Sequence, residues 1–281
     1  MAQRKASATT LLQALEQLQS PAFAKKVERF FRRSYCPTDV FVGLRVPQCR
    51  DALKKYLATT SKTELLELLR DPRHEMRLTA LIALTEVYER PSKAPLWQPV
   101  PSHDDVRLEI RRVLLAHAAF CNNWDLVDTC CHKILGHSLL HFEMTAVDAF
   151  LSRPDDITLL PDWYTALLTS SDLWETRMSI VALLGVRADN VALSYAICAY
   201  HLRRFHDAPA LRCTLNGVAF ESLDLIHKAL GWVLRENGKE GKAQLETFLD
   251  EFAPKASKTT VRYATEHLPK AKVKRYVAMA T

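Results

Sequence analysis

Residues 77–88 read RLTALIALTEVY, with Leu78, Leu81, Leu84 and Tyr88 recurring at three- and four-residue intervals. That is the period at which side chains share one face of an α-helix. The same spacing returns in LLQALEQL from Leu11, ELLELLRD from Glu64, VRLEIRRVLLAHAAF from Val106, RMSIVALLGV from Arg177 and HKALGWVLREN from His227. Only seven glycines occur, and no alternating apolar and polar run flanked by an Asn-Gly or Gly-Gly turn stands out, so strands are not expected. The pattern predicts an all-α chain.

The breaks carry stop and start signals. Asp71-Pro72, Arg153-Pro154-Asp155-Asp156, Leu160-Pro161-Asp162 and Ala208-Pro209 each join a helix-ending proline to a candidate N-cap. Helix pairs that start roughly 40 to 50 residues apart predict a solenoid of HEAT or armadillo type, with a compact irregular helical domain as the alternative. The chain is read as one helical domain over residues 1–281, and its longest irregular piece is RPSKAPLWQPVPSHD at 90–104, with four prolines. This piece is expected to link helices and is a candidate seam between two halves.

At 281 residues the chain has ample material for a buried core. Its seven cysteines are an odd number, include the adjacent pair Cys130 and Cys131, and show no C-x-x-C spacing, which suits a reducing intracellular compartment. The first twenty residues lack the long apolar run of a secretory signal, and no stretch approaches the roughly 20 apolar residues of a membrane span, so a soluble protein is expected. Lys and Arg number 38 against 32 Asp and Glu, a net charge of +6. Part of the excess gathers in KEGKAQ, PKASKTTVR and PKAKVKR near the C-terminal end, clusters able to neutralise phosphates or to form a solvated basic face. The absence of a glycine-rich phosphate loop argues against a nucleotide-binding enzyme. His132, His137 and His141 lie near Cys130 and Cys131, but HSLLH lacks the glutamate of a zincin helix, and no metal is expected.

Three tryptophans each stand about one helical turn before a charge: Trp124 before Asp128, Trp174 before Arg177 and Trp232 before Arg235. If their helices are equivalent members of stacked pairs, these faces line one side of the solenoid. Core packing of the tryptophans, a helix-start role for Asp125 and solvated arginines are the competing reading. Asp128 resists it, because Leu126, Val127, Cys130 and Ile134 around it are apolar, so its carboxylate needs a buried partner or faces a cleft.

NNWDLVD at 122–128, SSDLWETRMSIVA at 170–182, FESLDLIHKALGWVLREN at 220–237 and FAPKASKTTVRYATEHL at 252–268 resemble consecutive segments of the DNA alkylation repair enzymes, helical-repeat glycosylases of the AlkD type. VFVGLRVPQCRDALKKY is similar to their F-x-G-x-x-x-P-x-x-R segment, at Phe41, Gly43, Pro47 and Arg50, and the likeness runs over about residues 20–270. It implies a right-handed superhelical solenoid of HEAT-like helix pairs whose concave basic face holds double-stranded DNA. It also implies hydrolysis of the N-glycosidic bond of cationic N3- and N7-alkylated purines, without a cofactor. By position, Asp128 matches the catalytic aspartate, Trp124 and Trp232 the active-site tryptophans, and Arg177 the arginine beside the lesion. Arg235, Lys255, Lys258 and Arg262 are expected at phosphates. The chain departs from the pattern at Asn123, where relatives can carry a second aromatic, at Phe30, where a relative offers a tyrosine hydroxyl to the DNA backbone, and in the length of the SYCPTDVF loop.

The chemistry suits these residue types. An alkylated purine already carries positive charge and leaves without a general acid, so the enzyme's task is the cation that develops at the sugar. A fixed carboxylate aimed there stabilises the transition state more than the ground state. It can also orient or deprotonate the attacking water. Tryptophan π faces attract the same cation, by ~0.5–2 kcal/mol per contact, and exclude water from the carboxylate. No lysine stands out as a Schiff-base nucleophile, so the expectation is a monofunctional glycosylase that works without a base-flipping pocket. Such a protein would bind DNA as a monomer, in the nucleoid-bearing cytoplasm of a bacterium or the nucleus of a eukaryote. A non-catalytic HEAT-like module that binds DNA or a protein partner is the alternative.

Overall fold

The computed structural model describes residues 10–93, 102–186, 189–208 and 210–281. Helices account for nearly all of its regular structure, as the three- and four-residue spacing predicts. The chain divides into two compact units, Met1–Cys130 and Cys131–Thr281. The division does not fall in the proline-rich stretch proposed as a seam. Residues 94–101 of that stretch, and Pro209 of the Ala208-Pro209 break, lie outside the described residues.

The first unit is organised by the helix His74–Glu89, in which every residue from His74 to Tyr88 except Glu86 is buried. A helix buried on all sides forms the centre of a core. It is covered by Val46–Tyr56, Lys62–Leu69 and His103–Ala116. Local chemistry sets the helix starts: Ser61 and Glu64 form a reciprocal capping box before Lys62–Leu69, and Ser102 caps His103–Ala116. Three residues of the F-x-G-x-x-x-P-x-x-R pattern have a structural task. Phe41 stacks on Phe31 with ring centroids 4.8 Å apart, and Pro47 sits in the first turn of Val46–Tyr56. Gly43 has φ +80°, and a Cβ there would lie 2.1 Å from the Ser20 carbonyl oxygen. Only glycine fits both demands. The buried Glu75 carboxylate then accepts the amides of Val42, Gly43 and Leu44 at 2.9, 2.8 and 3.3 Å, pinning the loop.

The second unit is built around Leu173–Ala182 and Asp224–Glu240. Asp172 caps the former by accepting the amides of Trp174 and Glu175 at 2.8 and 3.1 Å. Gly136 and Gly185 face each other across a backbone contact: a Cβ on Gly136 would lie 2.3 Å from the Ala182 carbonyl oxygen, and one on Gly185 1.9 Å from that of His132. His132–Gly136 forms a π-helical turn at this contact.

One expectation needs correction. A small antiparallel hairpin pairs Cys213–Leu215 with Val218–Phe220, with Thr214 opposite Ala219. Its turn is Asn216-Gly217, both at positive φ (52° and 76°), the conformation of a two-residue hairpin turn. The Asn-Gly signal was present, but three-residue strands are too short to show an alternating pattern. Among the described residues no helix is long and apolar enough to cross a membrane.

Candidate active site

Trp124–Cys131 is a short helix with two contrasting sides. Leu126, Val127, Cys130 and Cys131 are fully buried, while Trp124, Asp125, Asp128 and Thr129 are half-buried. Asp128 therefore stands on the partly open side with Trp124, one turn away. The apolar neighbours that made a buried carboxylate seem costly point the other way.

The start of this helix rests on a polar network that links it to distant parts of the first unit. His74, at the first position of the central helix, bonds through Nδ1 to Asp39 Oδ2 at 2.9 Å and through Nε2 to Asp125 Oδ2 at 2.8 Å. Asn123 donates from Nδ2 to the same Asp39 Oδ2 at 2.7 Å and accepts the Trp124 amide at 2.8 Å. Arg77 pairs with Asp39 Oδ1 and donates to the carbonyls of Asp71 and Pro72 at 2.8 and 3.0 Å.

Burial opposes protonation of His74, but the Asp125 and Asp39 carboxylates outweigh it and push its pKa from 6.5 up to about 9. Burial likewise opposes ionisation of Asp39, and there the His74 bond and the Arg77 charge prevail, holding the carboxyl below its ordinary range. Aromatic rings enclose the imidazole, with Phe41 at 4.7 Å and Phe31 at 5.1 Å, and Phe31 stacks on Trp124 at 5.3 Å. A cationic imidazole suits such ring faces.

Sequence reasoning missed Asp39 and His74 altogether. It met Asn123 only as a departure from a family pattern and Asp125 only as a helix-start residue. Phe30 is 76% exposed, in a stretch where Lys25, Lys26, Arg29 and Arg32 are also exposed. The structure thus leaves Phe30 where a nucleic acid can reach it, with its neighbour Phe31 turned inward on Trp124.

The second unit holds the remaining expected residues. Trp232 is half-buried on Asp224–Glu240, beside Gly231. A Cβ on Gly231 would lie 2.4 Å from Tyr263 Cβ and 2.7 Å from the Thr260 carbonyl oxygen, so this helix and Lys258–Ala264 meet almost backbone to backbone. Thr260 Oγ1 adds a bond to the His227 carbonyl at 3.1 Å. Lys258 and Arg262 are exposed on that second helix, and Lys255 is half-buried with its ammonium 6.0 Å from the Phe252 ring centre. Arg235 is engaged with Glu236 and Glu266. Arg177 is only 5% exposed and donates to the Leu225 carbonyl at 2.6 Å, tying down the start of the Trp232 helix. Trp174 is 3% exposed and belongs to the core. The expectation of three similar tryptophan faces is thereby corrected: Leu173–Ala182 is buried almost all round and presents no open aromatic side.

His137 and His141 stack with ring centres 5.0 Å apart. Among the described residues no group of three or more His, Cys, Asp or Glu side chains is placed to hold a metal ion. A cleft in the first unit, lined by Arg50, Leu57, Ile82 and Arg90 among others, includes none of the residues expected to carry catalysis or DNA binding.

Over residues 11–268 the chain matches the sequence model of the DNA alkylation repair enzyme family. No curated protein matches it. Among solved structures it is similar to a predicted DNA alkylation repair enzyme from Enterococcus faecalis, at 17% identity and a TM-score of 0.57, covering 90% of this chain and 97% of that one. At this identity the likeness speaks for a shared fold.

Proposed function

The chain belongs to the DNA alkylation repair enzyme family, and from that premise we propose that it is a monofunctional DNA glycosylase for cationic N3- and N7-alkylated purines in duplex DNA. The observation that carries this reading is the pairing of Trp124 and Asp128, one turn apart on the half-open side of a helix whose other side is core. A carboxylate in that position, one turn from an indole, suits a cation that develops in the transition state. Asp125 is a poorer candidate because its Oδ1 is buried.

In this reading the alkylated base leaves as a neutral purine. Asp128 stabilises the oxocarbenium-like sugar and directs water onto the anomeric carbon. Trp124 offers its π face to the same positive charge. Trp232 is assigned to catalysis on family position, and a Trp232→Ala variant tests that assignment separately. Phe30, Lys255, Lys258 and Arg262 are assigned to DNA on their exposure and charge. Arg177 and Arg235 are assigned by position, although each has a protein partner that DNA would have to share or displace. Contacts to sugar and backbone rather than to the base predict that bulky N7 adducts are also released.

The test is release of 7-methylguanine and 3-methyladenine from methylated duplex DNA by the wild type and by Asp128→Asn, with duplex binding measured for both. The variant is expected to bind DNA normally and to release base on the order of 10²–10³-fold more slowly. If neither protein releases base above the spontaneous rate while both bind duplex, the protein is a DNA-binding scaffold and the glycosylase reading fails.

A further inference from the structure

The helix that carries Trp124 and Asp128 begins at Trp124, and the amides of a first turn have no partner within the helix. Its first turn is fixed from outside. Asp125 Oδ2 meets His74, while Asp125 Oδ1 is buried with no hydrogen-bond partner among the described residues. His74 is therefore the group that compensates this carboxylate. His74 in turn reaches Asp39, which also takes the Asn123 amide that precedes Trp124. One ring thus spans two carboxylates that are 86 positions apart in the chain, and both ends of the bridge lead back to the same helical turn.

We propose that His74 is a positioning residue: held between Asp39 and Asp125, it fixes the first turn of Trp124–Cys131 and so aims the Trp124 ring and the Asp128 carboxylate. The consequence for Asp128 in catalysis rests on the glycosylase reading, whereas the anchoring of the helix does not. Bridging two carboxylates through both ring nitrogens requires both to donate, which the protonated ring does and the neutral ring cannot. Loss of the second proton leaves one carboxylate facing a lone pair in a buried setting, where an uncompensated charge is costly.

The charged groups around the ring are Asp39 from the loop before Phe41, Asp125 from the Trp124 helix, and Arg77 on Asp39. Arg33 bonds the Asp39 carbonyl at 3.0 Å, and the Cys36 thiol, pushed up to about 11 by burial first and Asp39 second, stays neutral. On the ring's own helix, Glu75 is occupied by the 42–44 amides and Arg73 by Asp71 and Glu16. The two aspartates are thus the negative groups that His74 faces directly, and Arg77 is the competing cation.

Two variants separate charge from shape. His74→Arg keeps a cation with several donors, and His74→Gln keeps hydrogen-bonding ability without charge. Amide exchange of residues 124–131 in the full-length protein reads the anchor directly, and base release across pH 6–10 reads its effect on chemistry. His74→Gln should exchange faster over 124–131 and release base about a hundredfold more slowly, as a misplaced catalytic group does. His74→Arg should restore most of both and remove the fall in activity expected of the wild type above about pH 9.

Equal exchange and equal pH profiles in wild type and His74→Gln overturn the proposal, as does equal loss in both variants, which would make the role one of shape. If the wild type releases no base, the glycosylase reading fails while the exchange result still decides the anchor. Should His74→Gln not fold, proton NMR of the wild-type imidazole decides: two ring N–H signals at neutral pH support the bridge, and a single one sinks it.

Discussion

The helix that carries Trp124 starts on buried charges, whereas the helix that carries Trp232 is seated by close backbone contact. In the first unit Asp39, His74, Asn123 and Asp125 share hydrogen bonds of 2.7 to 2.9 Å, with Arg77 on the outer oxygen of Asp39. In the second, Gly231 lets Asp224–Glu240 press against Thr260, and Arg177 and Thr260 tie it down through the Leu225 and His227 carbonyls. Charged anchors respond to pH and steric ones respond to volume. The two units should therefore fail under different stresses, and each of the following measurements can break that distinction.

Proton linkage gives the largest expected effect. The folded pKa of His74 is raised to about 9, so its contribution is complete below the ordinary 6.5 and disappears as pH rises through about 9. A shift of this size corresponds to roughly 3 kcal/mol. In the second unit His201 has the opposite sign. Burial, helped by Arg204, lowers it to about 3, so the folded ring stays neutral while the unfolded one takes up a proton. Stability is then lost as pH falls below 6.5. His227 is lowered too, again by burial, and adds to the same acid loss. The lowered carboxyl of Asp39 acts only at more acid pH, beneath its ordinary 3.8. Amide exchange resolved by region, at pH 5, 7 and 9.5, should show the second unit opening first in acid and the first unit in base. The reverse order would mean that buried charge does not distinguish them.

Added volume comes next. Gly231→Val places methyl groups where even a Cβ meets Tyr263 Cβ at 2.4 Å, and neither that atom nor the Thr260 carbonyl is the end of a flexible side chain. The helices must separate, at a cost of about 2 kcal/mol. The urea midpoint should fall accordingly with little pH dependence. A strongly pH-dependent loss would show that charge also holds the Trp232 helix.

The same contrast explains what the sequence disclosed. Helices such as His74–Glu89 and His103–Ala116 were legible because their period is local and needs no knowledge of neighbours. The Trp124 and Asp128 pair was legible as spacing on one helix together with a family resemblance. His74 was not, because its partners lie 35 and 51 positions away and nothing in HEMR marks the first residue as a bridge. Trp174 shows the limit of spacing: a tryptophan one turn from an arginine reads alike on a surface and in a core, and only tertiary packing puts both at 5% exposure or less.

The smallest effect belongs to the hairpin, the element that periodicity passed over. Gly217 has φ +76°, and a Cβ there meets nothing within 4 Å, so Gly217→Ala adds conformational strain without a clash. That strain is worth about 1 kcal/mol. The hairpin touches the rest of the second unit through the Thr214 amide, which donates to the Ser171 carbonyl at 2.6 Å just before Leu173–Ala182. If the hairpin opens on its own, the substitution speeds amide exchange at 213–220 and leaves the urea midpoint nearly unchanged. A midpoint shift as large as that of Gly231→Val would instead make the Thr214 bond part of the cooperative core. The cooperative core of that unit would then include the hairpin and depend on a turn that only residues tolerant of positive φ can form.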